Sequence, residues 1–130
     1  LKDARTILEI ILLPQLDLHD ADGNHSYASF LSQYLLQSRS PEFGDFSGAE
    51  PPHLTEALRL MRDRVDYLPP YVAQRRLISV SLMFLNILMR HHGTDEVAFG
   101  ESFPDALEDT MEQIVHSMCM PLRLAAARTA

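Results

Sequence analysis

The sequence predicts an all-α fold built from five helical segments. Apolar residues recur three and four positions apart in each segment, which is the spacing of an amphipathic helix. Proline and glycine separate the segments, and no stretch shows the alternation that is typical of a strand. The 130 residues, of which 46% are hydrophobic and 22% charged, suffice for one domain with its own core.

The N-terminal half contains two of the predicted helices. Residues 1–13 carry apolar side chains at helical spacing, and Pro14 is expected to end or kink that helix. Residues 17–26 form a predicted turn, and residues 26–37 form a second helix with an aromatic face. Residues 39–53 are rich in proline and glycine and form a long connection, which is typical of a functional or mobile segment.

Three helices follow. Residues 54–68 form a clean amphipathic stripe, which Pro69 and Pro70 should stop. The next helix runs to about residue 92, with Gly93 as a C-terminal cap. The last helix begins after Ser102, a good N-cap, and acidic residues near its start suit the helix dipole. We expect the tail, residues 122–130, to fray beyond a single domain of residues 1–121.

The fourth predicted helix is apolar on too many sides for a surface helix. Its polar residues Arg75, Ser79, Asn86 and Arg90 fall within about 60° of the helical wheel, and its apolar residues spread over roughly 260°. One-sided packing explains a stripe only a little over about 100° wide. A membrane is a poor alternative because the apolar run is about 13 residues and spanning needs about 20.

We therefore predict that a second copy of the chain packs against the part of this wide apolar sector that one chain leaves uncovered. Two long helices from each chain would form an intersubunit four-helix bundle about a two-fold axis. The alternative is that the helix is simply the core of a monomer. The predicted dimer interface consists of Leu77, Val80, Leu88, Phe103, Leu107, Met111, Ile114 and Met118.

Aromatic and methionine side chains on three predicted helices can also enclose a ligand cavity. The predicted ligand-binding residues are Tyr27, Phe30, Tyr34, Met61, Val65, Met83 and Phe84. For each of these residues taken singly, an ordinary core position is the favoured interpretation. A lining with few charges favours a small hydrophobic ligand, such as an acyl or aromatic compound.

Patterns that indicate catalysis or metal binding fail when they are tested. Around Gly23 a calcium loop would place Leu18 and Ser29 where carboxylates are required. The adjacent His91 and His92 would point about 100° apart on a helix, which is poor geometry for one metal ion. Cys119 is better explained as a packed thiol than as a nucleophile. From the sequence we therefore expect that the chain is not an enzyme and that it binds no cofactor and no metal ion.

The order of the segments resembles the C-terminal regulatory domain of TetR-family transcriptional regulators. ILEIILLPQL is similar to the first helix of that domain, and YASFLSQYLLQS to the aromatic-rich helix that follows. YLPPYVAQRRLISVSLMFLNILMRHH resembles the start and apolar run of the penultimate helix, and FPDALEDTMEQIVHSM the last helix. Together these segments cover most of residues 1–121.

This resemblance implies a homodimer formed through the last two helices and a small-molecule site enclosed by the earlier ones. It also implies an N-terminal helix-turn-helix domain that binds operator DNA. No basic three-helix segment precedes Leu1, so we expect that domain outside these residues. The net charge of −7 suits a domain that keeps off DNA and anionic membranes, and a single cysteine suits the cytoplasm. The alternative function is a helical dimerisation scaffold without a ligand.

Overall fold

The computed structural model of the chain describes residues 3–17, 33, 36, 52–91 and 100–125. In these ranges the chain has no strand and forms four α-helices, α1 (Ala4–Leu12), α2 (Pro52–Arg64), α3 (Pro70–Arg90) and α4 (Phe103–Cys119). The all-α prediction is confirmed, whereas the prediction of five helices is not. Of the predicted helix at residues 26–37, the structure describes Gln33 and Leu36, which are both helical and exposed.

Two helix ends differ from the sequence prediction. After α1 the chain continues as a 3₁₀-helix, Leu13–Asp17, because a proline in a first helical turn has no amide hydrogen that needs a partner. The long helix α3 ends at Arg90, and His91 is its C-terminal cap. The predicted cap, Gly93, lies outside the described residues.

Ser102 caps the N-terminus of α4, as predicted. Its hydroxyl oxygen accepts a hydrogen bond from the backbone amide of Asp105 at 3.2 Å. The carboxylate of Asp105 lies in the first turn, where the positive end of the helix dipole favours it. The start of this helix is therefore fixed by local side-chain chemistry.

We expect Ser102→Ala to lower the free energy of unfolding by about 1 kcal/mol, because the amide of Asp105 loses its acceptor. Ser102→Thr is the matched control, since threonine keeps the hydroxyl oxygen and should retain most of the stability. Urea unfolding at a fixed protein concentration measures both variants. Equal losses in the two variants would show that the hydroxyl does not cap the helix.

The core is formed by side chains from all four helices. The helix α3 packs along α4, while α1 lies against both α2 and α4. The largest fully buried side chains are Ile7, Leu8, Leu12, Leu58, Met61, Leu77, Phe84, Leu85, Leu88, Met111, Ile114 and Met118. Because α3 contributes four of these from one face, it is the main support of the core.

Contacts at both ends show that α3 and α4 run antiparallel. Near the start of α3, the guanidinium of Arg76 donates to the carbonyl oxygen of Met118 at 3.2 Å. Near the end of α3, the ring of His91 meets the ring of Phe103 edge-on, with centroids 5.3 Å apart. The N-terminal half of each helix therefore lies level with the C-terminal half of the other.

The C-terminal end of α4 is held by two side chains from elsewhere in the fold. Arg76, which is 7% exposed, donates to the carbonyl oxygens of Met118, Met120 and Pro121. The hydroxyl of Tyr67 donates to the carbonyl oxygen of Cys119. The carbonyl of Met118 belongs to the negative end of α4, and those of Met120 and Pro121 follow directly after the helix. Together they stabilise the buried charge of Arg76 in place of a carboxylate.

Among the described helices, α3 is long and apolar enough to cross a membrane by length and composition alone. Half of its most apolar window is buried inside the chain. The core helix of a soluble domain has the same properties, and α3 packs along α4 and buries nine residues.

Candidate dimerisation surface and ligand cavity

The ligand-binding candidates that lie within the described residues divide between the hydrophobic core and the surface of α3. Met61, Val65 and Phe84 are at most 1% exposed and belong to the hydrophobic core. Met83 is half-buried and lines a shallow depression between α3 and α4. The other three candidates, Tyr27, Phe30 and Tyr34, lie outside the described residues.

A depression of about 680 Å³ opens at the corner between α2 and α3. Its apolar lining includes Val65, Leu68 and Ala73, which are all buried side chains. Its polar lining comprises Arg62, Asp66 and Gln74, and the side-chain nitrogen of Gln74 is buried without a hydrogen-bond partner. Apolar walls with a few convergent polar groups are typical of small-molecule sites. Among the predicted ligand residues that the structure describes, Val65 lines this depression.

Most of the predicted interface residues are already covered by the chain itself. Exposure is 2% or less for six of the eight, which are Leu77, Val80, Leu88, Met111, Ile114 and Met118. A second chain has no access to these side chains in this fold, and we therefore assign the candidate interface to other residues. Phe103 and Leu107 are half-buried and keep some accessible surface.

The apolar surplus of α3 lies on its outer side. Of the ten apolar residues in the wide sector, the fold buries five and leaves five half-buried, which are Ile78, Leu82, Met83, Ile87 and Met89. A helical wheel gives the angle of each side chain around its own helix but not the neighbours of that side chain. Packing against α4 and the rest of the core decides which side is covered.

A shallow depression of about 410 Å³ on this outer side joins α3 to α4. Its lining from α3 consists of Ser79, Leu82, Met83, Asn86 and Ile87. Thr110 and Gln113 line it from α4. None of these seven residues is charged, and the absence of charged residues is one property that the centre of a protein interface shows. We call these seven residues the outer face. Sequence reasoning overlooked Thr110 and Gln113, because polar residues give no periodic apolar signal.

Charges on the neighbouring side of α4 are partly neutralised within the chain. The guanidinium of Arg5 on α1 bonds both carboxylate oxygens of Glu108, at 2.9 and 2.7 Å, and one oxygen of Glu112 at 3.1 Å. The hydrogen bonds from Arg5 hold the pKa of Glu108 below its usual value. Asp105 and Asp109, further round the same helix, make no ion pair with any residue in the described ranges.

Two residues with possible chemical roles, Cys119 and His116, lie at the C-terminal end of α4. Burial raises the pKa of the Cys119 thiol, which favours its unreactive protonated form. The nearby His116 directs its Nε2 atom towards Glu112, at 3.4 Å. Within residues 3–17, 33, 36, 52–91 and 100–125 no three metal-binding side chains converge.

Comparison with known proteins adds no relative. No described protein family, no curated protein and no solved structure matches the chain. The candidate function therefore depends on the surfaces described above and on the resemblance carried by the four quoted segments.

Proposed function

We propose that this chain is the effector-binding and homodimerisation domain of a TetR-type, one-component transcriptional regulator of the cytoplasm. The observation that carries the proposal is the uncharged outer face on the last two helices, where three apolar side chains, Leu82, Met83 and Ile87, are half-buried. In the family that the sequence resembles, those two helices are the ones that form the dimer. The helical order of the described segments is also what that family requires.

The composition of the outer face favours its contact with a second copy of the chain. Leu82, Met83 and Ile87 retain apolar surface around the polar side chains of Asn86 and Gln113. Burial of that apolar surface favours association, and the amides can hydrogen-bond across the interface. An isologous dimer places the same patch on both chains, so each favourable contact occurs twice.

We expect the chain to sediment as a dimer, and Met83→Lys to raise the dimer dissociation constant at least about 100-fold. The reason is that an ammonium group would be buried without a partner in both copies of the outer face. Tyr71→Lys is the matched control, because Tyr71 is 70% exposed on the same helix and does not line the outer face. A wild-type monomer at micromolar concentration, measured by sedimentation velocity, would overturn the dimer.

The regulatory part of the proposal concerns the corner depression between α2 and α3. A small hydrophobic ligand there would favour one arrangement of the two chains and so change the spacing of the recognition helices on operator DNA. A coupling of about 1–3 kcal/mol is enough for such control. The full-length protein, tested for operator binding with and without ligand, checks this mechanism directly.

Medium-chain fatty acids and substituted benzoates are suitable first probes, because Arg62 and Gln74 offer donors beside an apolar floor. A ligand at 100 times its dissociation constant would stabilise the native state by about 2.7 kcal/mol and raise the melting temperature. Gln74→Leu should abolish that rise if the ligand occupies the corner. A rise that persists in the variant would place the ligand elsewhere.

The second candidate is a helical dimerisation scaffold that binds no small molecule. It is favoured by the close burial of Met61 and Phe84, which belong to the hydrophobic core. Under this alternative the chain dimerises, no small molecule raises its melting temperature, and operator binding by the full-length protein is the same with and without the tested compounds.

A further inference from the structure

Two opposite charges without ion-pair partners line the corner depression between α2 and α3. Arg62 and Asp66 are exposed side chains, four positions apart in the sequence, and both belong to its lining. Neither pairs with the other or with any residue in the described ranges. Ion pairs do form elsewhere on α2, where Arg59 donates to Glu56 at 3.0 Å and to Asp63 at 2.9 Å. One cation and one anion are therefore available together to a bound molecule.

The location of Asp66 suits a positively charged ligand group. The helix α2 ends at Arg64, so Asp66 lies just beyond its C-terminal end. Carbonyl oxygens at that end of a helix carry partial negative charge, which disfavours a carboxylate beside them. The same two negative groups attract a cation together. An ammonium group that binds at Asp66 therefore neutralises a charge that the chain leaves unfavourably placed.

A carboxylate finds its donors on the other side of the depression. The guanidinium of Arg62 is a planar fork of donors that matches the two oxygens of a carboxylate. Gln74 of α3 also belongs to the lining, and its Nε2 atom is buried without a hydrogen-bond partner. An oxygen that reaches this nitrogen satisfies a donor that is otherwise costly to bury.

The floor of the depression is apolar. Val65, Leu68 and Ala73 are buried side chains that line it, and Tyr71, which is 70% exposed, borders it. The volume of about 680 Å³ lies within the usual range of ligand pockets. Charges of both signs above an apolar floor fit a compact hydrocarbon body that carries an ammonium and a carboxylate close together.

We propose that the corner depression binds an apolar α-amino acid, with its carboxylate on Arg62, its ammonium group on Asp66 and its side chain on the apolar floor. This inference rests on the small-molecule site proposed above and names its ligand class. A simple carboxylic acid would leave Asp66 unpaired beside a second negative charge, and a simple amine would leave Arg62 unpaired. The α-amino acid satisfies both charges at once.

Calorimetric titration with matched probes tests the ligand class. L-phenylalanine is compared with 3-phenylpropionate and phenethylamine, and L-leucine with 4-methylpentanoate and isopentylamine, so that each analogue lacks one of the two charges. We expect the better amino acid to bind at least about tenfold more tightly than both of its analogues. Equal or tighter binding of the carboxylate or the amine would overturn the inference, as would the absence of binding by both amino acids at millimolar concentration.

Variants of the two charges assign each group of the ligand. We expect Asp66→Asn to weaken binding of the amino acid about tenfold without weakening that of its carboxylate analogue, whereas Arg62→Gln weakens both. Asp63→Asn and Arg64→Gln are the matched controls, because these residues lie on α2 but do not line the depression. Both controls should change either affinity less than about threefold. Equal weakening of both probes by Asp66→Asn would contradict a contact with the ammonium group.

Failure of this inference is distinguishable from failure of the proposed function. If carboxylates bind more tightly than amino acids and Gln74→Leu abolishes that binding, the corner site stands and only the ligand class is wrong. If an amino acid binds as expected but leaves operator binding by the full-length protein unchanged, the regulator proposal is wrong and the ligand class stands. The melting temperature of each variant without ligand establishes that the fold is retained.

Discussion

Phe84→Ala is expected to lower the free energy of unfolding by about 3–5 kcal/mol, the largest effect among the substitutions considered for this chain. Phe84 is 0% exposed and lies on the buried face of α3, which is the main support of the core. Alanine removes the transfer free energy of the ring and leaves a cavity that close-packed neighbours refill only in part.

Two controls make the result specific to burial. Phe84→Leu keeps most of the volume and should cost clearly less than alanine. Tyr71→Ala removes an aromatic ring that is 70% exposed on the same helix and should change the stability by less than about 0.5 kcal/mol. Urea unfolding at one protein concentration compares all three, since stability depends on concentration in a dimer.

The same variant also tests the ligand assignment of Phe84. If Phe84 fills the core, alanine creates a new apolar cavity, and a small apolar compound such as benzene should stabilise the variant but not the wild type. If the ring instead bordered an open ligand site, its removal would cost little stability. A loss below about 1 kcal/mol would therefore return Phe84 to the ligand-binding candidates.

Arg76→Met is expected to lower the free energy of unfolding by about 2–4 kcal/mol. The substitution retains an apolar stem but removes the guanidinium that donates to the carbonyl oxygens of Met118, Met120 and Pro121. Hydrogen bonds to a charged group contribute about 1.5–3 kcal/mol each, and water can replace only those at the partly buried end of the tail. The expected loss in the free energy of unfolding is therefore smaller than the summed contributions of the three hydrogen bonds.

Arg76→Lys is the informative comparison. Lysine keeps the positive charge near the negative end of α4 but lacks the planar fork that reaches several carbonyls at once. We expect it to lose about half as much stability as methionine. Equal stability of the methionine variant and the wild type would show that the buried charge costs as much as its bonds return.

Proteolysis gives a local readout of the same contact. Arg76 bonds the chain on both sides of the α4 terminus, so its loss should free the segment that contains Arg123. Trypsin cleavage after Arg123 should become faster in Arg76→Met than in Phe84→Leu, even though both variants are less stable than the wild type. Equal cleavage rates would limit the role of Arg76 to global stability.

The local features of the fold could be predicted from the sequence because they depend on neighbours along the chain. The cap at Ser102 needs only a hydroxyl three residues before an amide, and the amphipathic period of α2 and α4 needs only apolar spacing. Helix ends were less predictable, as the 3₁₀-helix through Pro14 and the stop at Arg90 show.

The sequence by itself determined that the chain is helical and that α3 carries more apolar surface than one-sided packing uses. Only the tertiary structure decided that Leu77 and Val80 lie inside, while Leu82 and Met83 remain on the outer face. The physical reason is that periodicity fixes the angle of a side chain around its own helix. Which angles of α3 are covered depends on where α4 and the rest of the core pack, and contacts between residues distant in sequence set those positions.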